Sequence, residues 1–214
     1  MYIPEHFRVE DQAAAVAFMR ANPFAILVST TADGPFATHV PVVIREARQH
    51  LLIRGHVAKA NPHWRYLQEQ EHCLVIFHGP HAYVSPTNYA TRENVPTWNY
   101  GAVHAYGDAR VFSDTEELLG MLDDLIPTFE AAYEEQWSSL SEAYRTRMLG
   151  HIVGFEIAVT KIEAKFKLSQ NRTRDEQQKV IESLSGATDT AITGTARLMC
   201  ERSLGTKKEV KKGE

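Results

Sequence analysis

The sequence predicts an α+β chain built on an antiparallel barrel of six to seven β-strands, with helices inserted between some of the strands. Three observations lead to this prediction. Apolar and alternating segments of strand length recur along the chain and are mostly joined by short turns. The strand–helix–strand alternation that builds a doubly wound parallel sheet is missing from the pattern. No internal repeat or low-complexity linker divides the 214 residues, so one domain is expected.

The first elements are a helix and a hairpin. Asp11 is placed to cap a helix that runs to about Ala21. The apolar segment 24–30 predicts a buried strand, the turn ADGP follows, and 36–44 predicts the returning strand. Because Pro41 lacks a backbone N–H, this second strand is expected at a sheet edge or at a bulge.

The next elements alternate strands with one helix. Residues 51–55 predict a strand, and Asn61 followed by Pro62 predicts the start of a helix that runs through WRYLQEQE. Residues 73–79 and 81–85 predict two strands separated by a Gly-Pro pair.

A long strand over 95–112 contains VPTWNYGAVHAYG and is rich in rings. A strand sends alternate side chains to opposite faces. One face is therefore aromatic and imidazole, with Trp98, Tyr100, Ala102, His104 and Tyr106. The other is small enough for a second backbone to approach closely, with Asn99, Gly101, Val103, Ala105 and Gly107. The aromatic face is expected to fill the core or a dimer seam, or else to form a wall for a flat ligand.

The following segment contains helices and then a further strand. The capping box SDTE at 113–116 predicts a helix to about Glu134, and 139–142 predicts the start of a shorter helix. Residues 154–169 predict a long strand. Its apolar positions change from odd to even numbers near Thr160, which indicates a bulge or a bend.

Two more helices are expected near the C-terminus. The motif TRDE at 173–176 caps the first, and 189–202 predicts the second. We expect a core over 1–175, helices of 176–206 packed on the same domain, and a polar tail over 207–214.

Charge and cysteine content exclude several classes of protein. The formal net charge of −4 provides no global basic field for nucleic acid. The N-terminus carries charges where a secretion signal needs an apolar core, and no apolar run approaches the roughly 18 residues of a membrane span. A cytoplasmic protein without membrane contact is therefore expected. Cys73 and Cys200 lie far apart, which argues against a disulfide framework or a thiolate zinc site.

Two segments in the first third of the chain carry candidate binding residues. Arg54, His56 and Lys59 lie between a strand end and a helix start, where several donors suit an anion such as a phosphate. The alternative is that they are ordinary surface charges. Thr38 and His39 lie mid-strand beside that loop, where a lone histidine is more often structural than a ligand.

The segment AKFKLSQNR at 164–172 combines a lysine-bearing strand face with a donor-rich end. Lys161, Lys165, Lys167 and Ser169 share one face, and Gln170, Asn171 and Arg172 follow. A redox-active flavin needs donors near its pyrimidine oxygens and N1, which such a segment supplies. The alternative is the solvated face of an edge strand.

Motifs for metal binding and catalysis are weak or missing. His78 and His81 are separated by a turn containing Pro80 and have no carboxylate close in sequence, so no metal is expected. The sequence lacks G-x-S-x-G, Walker A and G-x-G-x-x-G motifs, and the catalytic residues stay unknown.

Seven segments occur in order over roughly residues 1–175: MYIPEHF, NPFAILVS, GPFATHVP, GHVAKANPHW, FHGPHAYVSP, VPTWNYGAVHAYG and AKFKLSQNR. Together they resemble the PaiB family of FMN-binding negative transcriptional regulators, which are linked to repression of sporulation and protease genes. The resemblance implies the FMN-binding split-barrel fold, shared with pyridoxamine phosphate oxidases. It also implies a homodimer with FMN at the subunit interface.

The resemblance further implies a set of cofactor-binding residues. Beside the isoalloxazine ring it places Thr38, His39 and Val40, and near the ribityl phosphate Arg54, Gly55, His56 and Lys59. On the strand that completes the pocket it places Trp98, Asn99 and His104. On the C-terminal side it places Lys165, Lys167, Ser169, Gln170 and Asn171. The oxidases of this fold carry basic residues where this chain has THVPVV, so phosphate binding would rest mainly on Arg54, His56 and Lys59.

The resemblance implies a regulator with DNA as a candidate partner, although the sequence has no helix-turn-helix pattern. Basic residues able to reach phosphates are Arg172, Arg174, Arg197, Arg202, Lys207, Lys208, Lys211 and Lys212. One alternative is an FMN-dependent oxidoreductase that acts on a small substrate with NADH or NADPH. A less favoured alternative is a haem-binding split barrel, with His39 or His104 as ligand.

Overall fold

Six strands form a closed antiparallel barrel in the computed structural model, which describes residues 1–47 and 50–209. The strands are β1 (Phe24–Thr31), β2 (Gly34–Ala47), β3 (His50–Ala58), β4 (His72–Val84), β5 (Thr97–Phe112) and β6 (Ile152–Lys167). Their order around the barrel is β1-β2-β3-β6-β5-β4. The predicted α+β class and antiparallel barrel are confirmed.

β4 is one strand where the sequence predicted two. Its buried positions are odd-numbered from Cys73 to Gly79 and even-numbered at Ala82 and Val84. The Gly-Pro pair therefore shifts the phase of a continuous strand and does not end it. This shift accounts for a barrel of six strands where seven were also considered.

β2 changes its pairing partner at Pro41. Residues up to Pro41 pair with β1, ending in the pair Phe24 and Pro41, and pairing with β3 begins at Val42 opposite Gly55. The missing proline N–H thus falls where the partner changes. This change, and not a terminal place in the strand order, accommodates the proline.

β6 shows the predicted change of phase. Phe155 and Ile157 are buried in its first half, and Ala164 and Phe166 are buried in its second half. The two halves are therefore in opposite phase.

Seven α-helices lie within the described residues. They are α1 (Gln12–Ala21), α2 (His63–Glu69), α3 (Thr115–Glu130), α4 (Tyr133–Ser139), α5 (Glu142–Leu149), α6 (Arg174–Ser185) and α7 (Thr190–Glu209). Thr173 and Glu176 form the predicted capping box of α6. The helix predicted to reach Glu134 ends earlier, and its cap is Asp114, whose carboxylate accepts two backbone N–H groups. None of the described helices is both long and apolar enough to span a membrane.

The described chain divides into two compact units. The terminal unit contains Met1–Asp11, His78–Ala102 and the chain from Ala164, and the central unit contains Gln12–Phe77 and Val103–Glu163. In the terminal unit, α6 packs against α7. In the central unit, α3 and α5 contribute to a cluster of Val43, Phe112, Leu118, Met121, Leu125 and Leu149.

The predicted division at 1–175, 176–206 and 207–214 stays a prediction. α7 continues in its backbone to Glu209, beyond the helix predicted over 189–202. The remainder of the predicted tail, residues 210–214, lies outside the described residues, and so do the tail lysines Lys211 and Lys212.

Candidate functional site

β5 buries its small face and leaves its ring-bearing face partly exposed. Asn99 and Gly107, at the two ends of the small face, are buried, whereas Trp98 is 51% exposed. Tyr100, His104 and Tyr106 are half-buried. Of the alternatives for the aromatic face, filling of the barrel core is therefore wrong, and a dimer seam or a wall for a flat ligand stays a prediction. The rings are available at the barrel surface, where a flat ligand or a second chain could contact them.

Close packing explains why the small face is inside. A Cβ atom at Gly107 would lie 2.4 Å from the carbonyl oxygen of Ala158 and 2.7 Å from Cγ2 of Ile157. No side chain fits in that space, so the backbones of β5 and β6 meet directly. The predicted close approach on this face is confirmed.

In the terminal unit, Lys165 and Lys167 project from the same face of β6. Lys165 is 8% exposed, and its Nζ donates to the backbone oxygen of Tyr2 at 3.3 Å. Lys167 donates to Oγ1 of Thr97. Burial lowers the pKa of Lys167, and the neighbouring charge of Lys165 lowers it further. The alternative of a solvated lysine face therefore does not hold at Lys165.

Asn99 and Ser169 form a buried hydrogen-bonded pair in the same unit. The Asn99 amide donates to Oγ of Ser169 at 2.9 Å, and the Ser169 hydroxyl lies 3.2 Å from Oδ1 of Asn99. The same amide nitrogen lies 3.4 Å from the sulfur of Met199 on α7. Ser169 has a φ of +63°, a left-handed conformation that is uncommon for serine, so these contacts hold a strained turn.

The residues after Ser169 do not all point to one place. The Gln170 side chain folds back on its own strand, since its amide donates to the Phe166 carbonyl and its oxygen accepts from the Leu168 N–H. Asn171 is exposed. Arg172 donates to Oδ1 of Asn94 at 2.7 Å, and its guanidinium lies 3.8 Å from the ring centroid of Tyr89. Gln170 and Arg172 therefore already use donors within the chain, and their role in binding a ligand stays a prediction.

In the central unit, Thr38 belongs to a buried network around His63. Nδ1 of His63 lies 2.7 Å from Oγ1 of Thr38, and Nε2 lies 3.1 Å from Oγ of Ser29. Asn61 also donates to Thr38 at 3.2 Å. Burial lowers the pKa of His63 to about 4, so its imidazole is neutral at neutral pH. The sequence pattern does not single out His63, because only the fold brings it beside β1 and β2.

Arg54 is paired with carboxylates. Its Nη1 lies 2.8 Å from Oδ2 of Asp124 on α3, and its Nε lies 3.1 Å from Oε2 of Glu156. Arg45 also pairs with Asp124. The Arg54 charge is compensated within the chain, which weakens the sequence-based expectation that it binds a phosphate.

The residues that follow Arg54 differ in burial and in their hydrogen-bond and ion-pair partners. A Cβ at Gly55 would lie 2.8 Å from the Phe155 ring, so this glycine has a packing reason of its own. His56 is half-buried, its Nδ1 has no hydrogen-bond partner among the described residues, and burial lowers its pKa. Lys59 is exposed and enters no ion pair among the described residues.

The remaining predicted residues lie at different depths. Val40 is buried and pairs with Ala25 of β1. His39 is exposed, and its ring centroid lies 6.1 Å from that of Phe24. His104 is half-buried, and burial lowers its pKa.

The fifteen predicted residues are thus distributed over both units. The terminal unit holds Trp98, Asn99, Lys165, Lys167, Ser169, Gln170 and Asn171, and the central unit holds Thr38, His39, Val40, Arg54, Gly55, His56, Lys59 and His104. Direct hydrogen bonding joins Asn99 to Ser169.

A histidine pair lies on β4, where the phase shift places His78 and His81 beside each other with ring centroids 4.9 Å apart. Groups of three or more residues able to hold a metal ion do not occur in the described part of the chain.

Comparison with known proteins identifies the family. A family model described as "Putative FMN-binding domain" matches residues 1–161. "Protease synthase and sporulation protein PAI 2" of Bacillus subtilis is 40% identical over 201 residues, which cover 93% of this chain and 96% of that protein.

Two solved structures share the fold. The flavocytochrome Anf3 of Azotobacter vinelandii superposes with a TM-score of 0.61 at 16% identity, over 78% of this chain and 72% of its own. An FAD and haem binding protein of Mycobacterium smegmatis superposes with a TM-score of 0.60 at 14% identity, over 80% of this chain and 78% of its own.

Proposed function

Because this chain belongs to the family of FMN-binding split-barrel domains that includes PAI 2 of Bacillus subtilis, we propose that it is a flavin-binding regulator that represses transcription. Family membership carries the flavin-binding part of this statement. The regulatory part is supported by the 40% identity to a relative whose name refers to protease synthesis and sporulation. The resemblance of seven segments to the PaiB family supports it as well.

The residues of this chain fit FMN in their chemistry. The half-exposed rings of Trp98 and Tyr100 suit an apolar, flat ring system. Bound FMN would supply a group that accepts and releases electrons, while these side chains would bind and orient it.

Absorbance of the purified protein tests the flavin-binding part. After FMN addition and desalting, we expect retained bands near roughly 370 and 450 nm. Loss of all added FMN on desalting would contradict the proposal. If NADH or NADPH bleaches the absorbance of the bound flavin and a small substrate is turned over, the oxidoreductase is favoured instead.

We propose DNA as the partner of the regulator, through exposed basic residues near the C-terminus. Within the described side chains, Arg174 and Arg197 are exposed, whereas Arg172 is held by Asn94 and Tyr89. A local contact of this kind is needed, because the net charge of −4 provides no general attraction to DNA.

Gel-shift titration with promoter fragments of protease genes tests the DNA partner. We expect binding that weakens as salt concentration rises, and that weakens further in an Arg174→Ala/Arg197→Ala variant. Arg65→Ala, an exposed arginine in the central unit, serves as the control and should bind like the parent. An absent or salt-insensitive shift would rule out this partner.

We also propose that the protein is a homodimer. The ring-bearing face of β5 supports this, since Trp98 is half exposed in the single chain. The family resemblance supports FMN binding at an interface between two subunits, which would cover these rings.

A further inference from the structure

Two lysine side chains of the terminal unit, Lys165 and Lys167, form no ion pair with a carboxylate among the described residues. Ion pairs of the described residues include the cationic side chains Arg20, Arg45, Arg54, His72, Arg110 and Lys161. Neither Lys165 nor Lys167 belongs to this set. Alternate residues of a strand share a face, so the two ammonium groups also repel each other.

The hydrogen-bonding and ring groups that contact these lysines are neutral. Lys165 contacts the Tyr2 carbonyl, and its Nζ lies 5.3 Å from the ring centroid of Tyr100. Lys167 contacts the Thr97 hydroxyl and lies 6.0 Å from the Phe7 ring centroid. Carbonyl, hydroxyl and ring faces each stabilise a cation modestly and leave its net charge in place.

Burial makes this arrangement costly without an anion. Lys165 is 8% exposed, and an ammonium group removed from water is stabilised mainly by an opposite charge. Arg8 adds a third cation, because its backbone bridges Lys165 and directly opposite residues project to the same face. Among the described residues, no carboxylate pairs with any of the three.

We propose that Lys165 and Lys167 form a binding site for a phosphate monoester. A phosphate dianion matches two ammonium groups in charge and offers several strong acceptor oxygens. Lys167, the more exposed of the two, would contact the ligand directly. The buried Lys165 would stabilise the bound phosphate by its positive charge without touching it. The phosphate comes either from FMN, in which case the inference rests on the proposed function, or from a free phosphorylated metabolite.

The compensated charge of Arg54 supports this assignment. Arg54 is already paired with Asp124 and Glu156, whereas neither lysine pairs with a carboxylate in the described part of the chain. A ligand phosphate therefore gains more from the lysine pair than from Arg54.

The test compares dissociation constants of FMN and riboflavin, measured by flavin fluorescence quenching, in four proteins. These are the parent chain, Lys167→Met, Lys167→Arg and the control Lys179→Met, which alters an exposed lysine of α6. Unfolding midpoints with inorganic phosphate, against chloride at equal ionic strength, give a second readout. Loss of a charge-assisted hydrogen bond predicts an affinity loss of about tenfold or more.

Either source of phosphate leaves a distinct pattern. If FMN supplies it, Lys167→Met weakens FMN but not riboflavin, and Lys167→Arg retains most of the affinity. If a free metabolite supplies it, FMN affinity stays unchanged while Lys167→Met abolishes the stabilisation by inorganic phosphate.

The proposal is overturned if folded Lys167→Met matches the control in both readouts. Failure of the parent to bind FMN at all would reject the flavin-binding proposal, and the phosphate-dependent unfolding midpoint would still test the lysine site. Lys165→Met, at the buried position, should reproduce the Lys167→Met pattern wherever circular dichroism shows a native fold.

Discussion

At Gly107, a single methyl group decides whether β5 and β6 fit together. An added Cβ would lie 2.4 Å from the Ala158 carbonyl oxygen, which belongs to the backbone and has little room to move. We expect Gly107→Ala to lower the free energy of unfolding by about 1–3 kcal/mol, measured by urea denaturation.

Gly120→Ala is the matched control for this prediction. A Cβ at this position of α3 meets no atom within 4 Å, and alanine favours a helix over glycine. The control should raise the free energy of unfolding by up to about 1 kcal/mol. Equal effects of the two substitutions would contradict the close-packing argument.

His63 gives the fold a pH dependence of known sign. Burial lowers the pKa of His63 from 6.5 to about 4, so below pH 6.5 the unfolded chain binds a proton that the folded chain does not. Its contribution to stability is complete above pH 6.5 and falls as the pH decreases towards 4. The full loss is on the order of 3 kcal/mol.

The variant His63→Gln isolates this effect, because glutamine has hydrogen-bonding groups and no proton to gain. Burial lowers the pKa of His56, His78 and His104 as well, so the parent and the variant must be compared. We expect a shallower fall in the unfolding midpoint of His63→Gln between pH 6.5 and 4. Parallel curves would show that His63 does not titrate in this way.

At the scale of elements, one carboxylate attaches α3 to two strands. Asp124 pairs with Arg45 of β2 and Arg54 of β3, and its side chain is almost fully buried. Removal of the carboxylate leaves Arg54 with Glu156 alone and exposes the Arg45 charge to partial solvation only. We expect Asp124→Asn to lower the free energy of unfolding by about 1–3 kcal/mol, measured by chemical denaturation.

Asp123→Asn controls for the loss of a carboxylate on the same helix. Asp123 is exposed and enters no ion pair among the described residues. It should change stability by less than about 0.5 kcal/mol. A comparable loss in both variants would mean that Asp124 acts through the net charge of the helix.

Local sequence patterns predicted the strands and helices well, but predicted poorly which faces are buried and which distant residues pair. The period of two on β5 separated its small and aromatic faces correctly, since alternation is a local property. It did not indicate which face is buried, because that depends on Ala158 of another strand. The same limit applies to Arg54, whose partner Asp124 lies 70 residues away along the chain.

The residues predicted as ligand donors fall into two groups: those already hydrogen-bonded within the chain and those that are not. Gln170 and Arg172 are used within the chain, whereas Lys59 is not paired among the described residues. Residue type and spacing predict that a donor is present. Only the packed structure shows whether its hydrogen bonds are already made.

At the scale of the whole molecule, the proposed homodimer predicts a measurable mass. We expect light scattering to give twice the chain mass of 24.1 kDa. Trp98→Glu should shift the mass towards the monomer, because a charge replaces an exposed ring on the proposed interface. Tyr144→Glu, at another exposed aromatic on α5, should leave the mass unchanged. A monomeric parent would reject the dimer.

The attachment of α3 by Asp124 also bears on the order of folding. Its two ion pairs join residues 79 and 70 positions apart, so they form only after long stretches of chain have been brought together. The β2–β3 hairpin has much shorter loops to close and can precede them. The ion pairs of Asp124 then form late in folding. They lower the unfolding rate and contribute little to the folding rate.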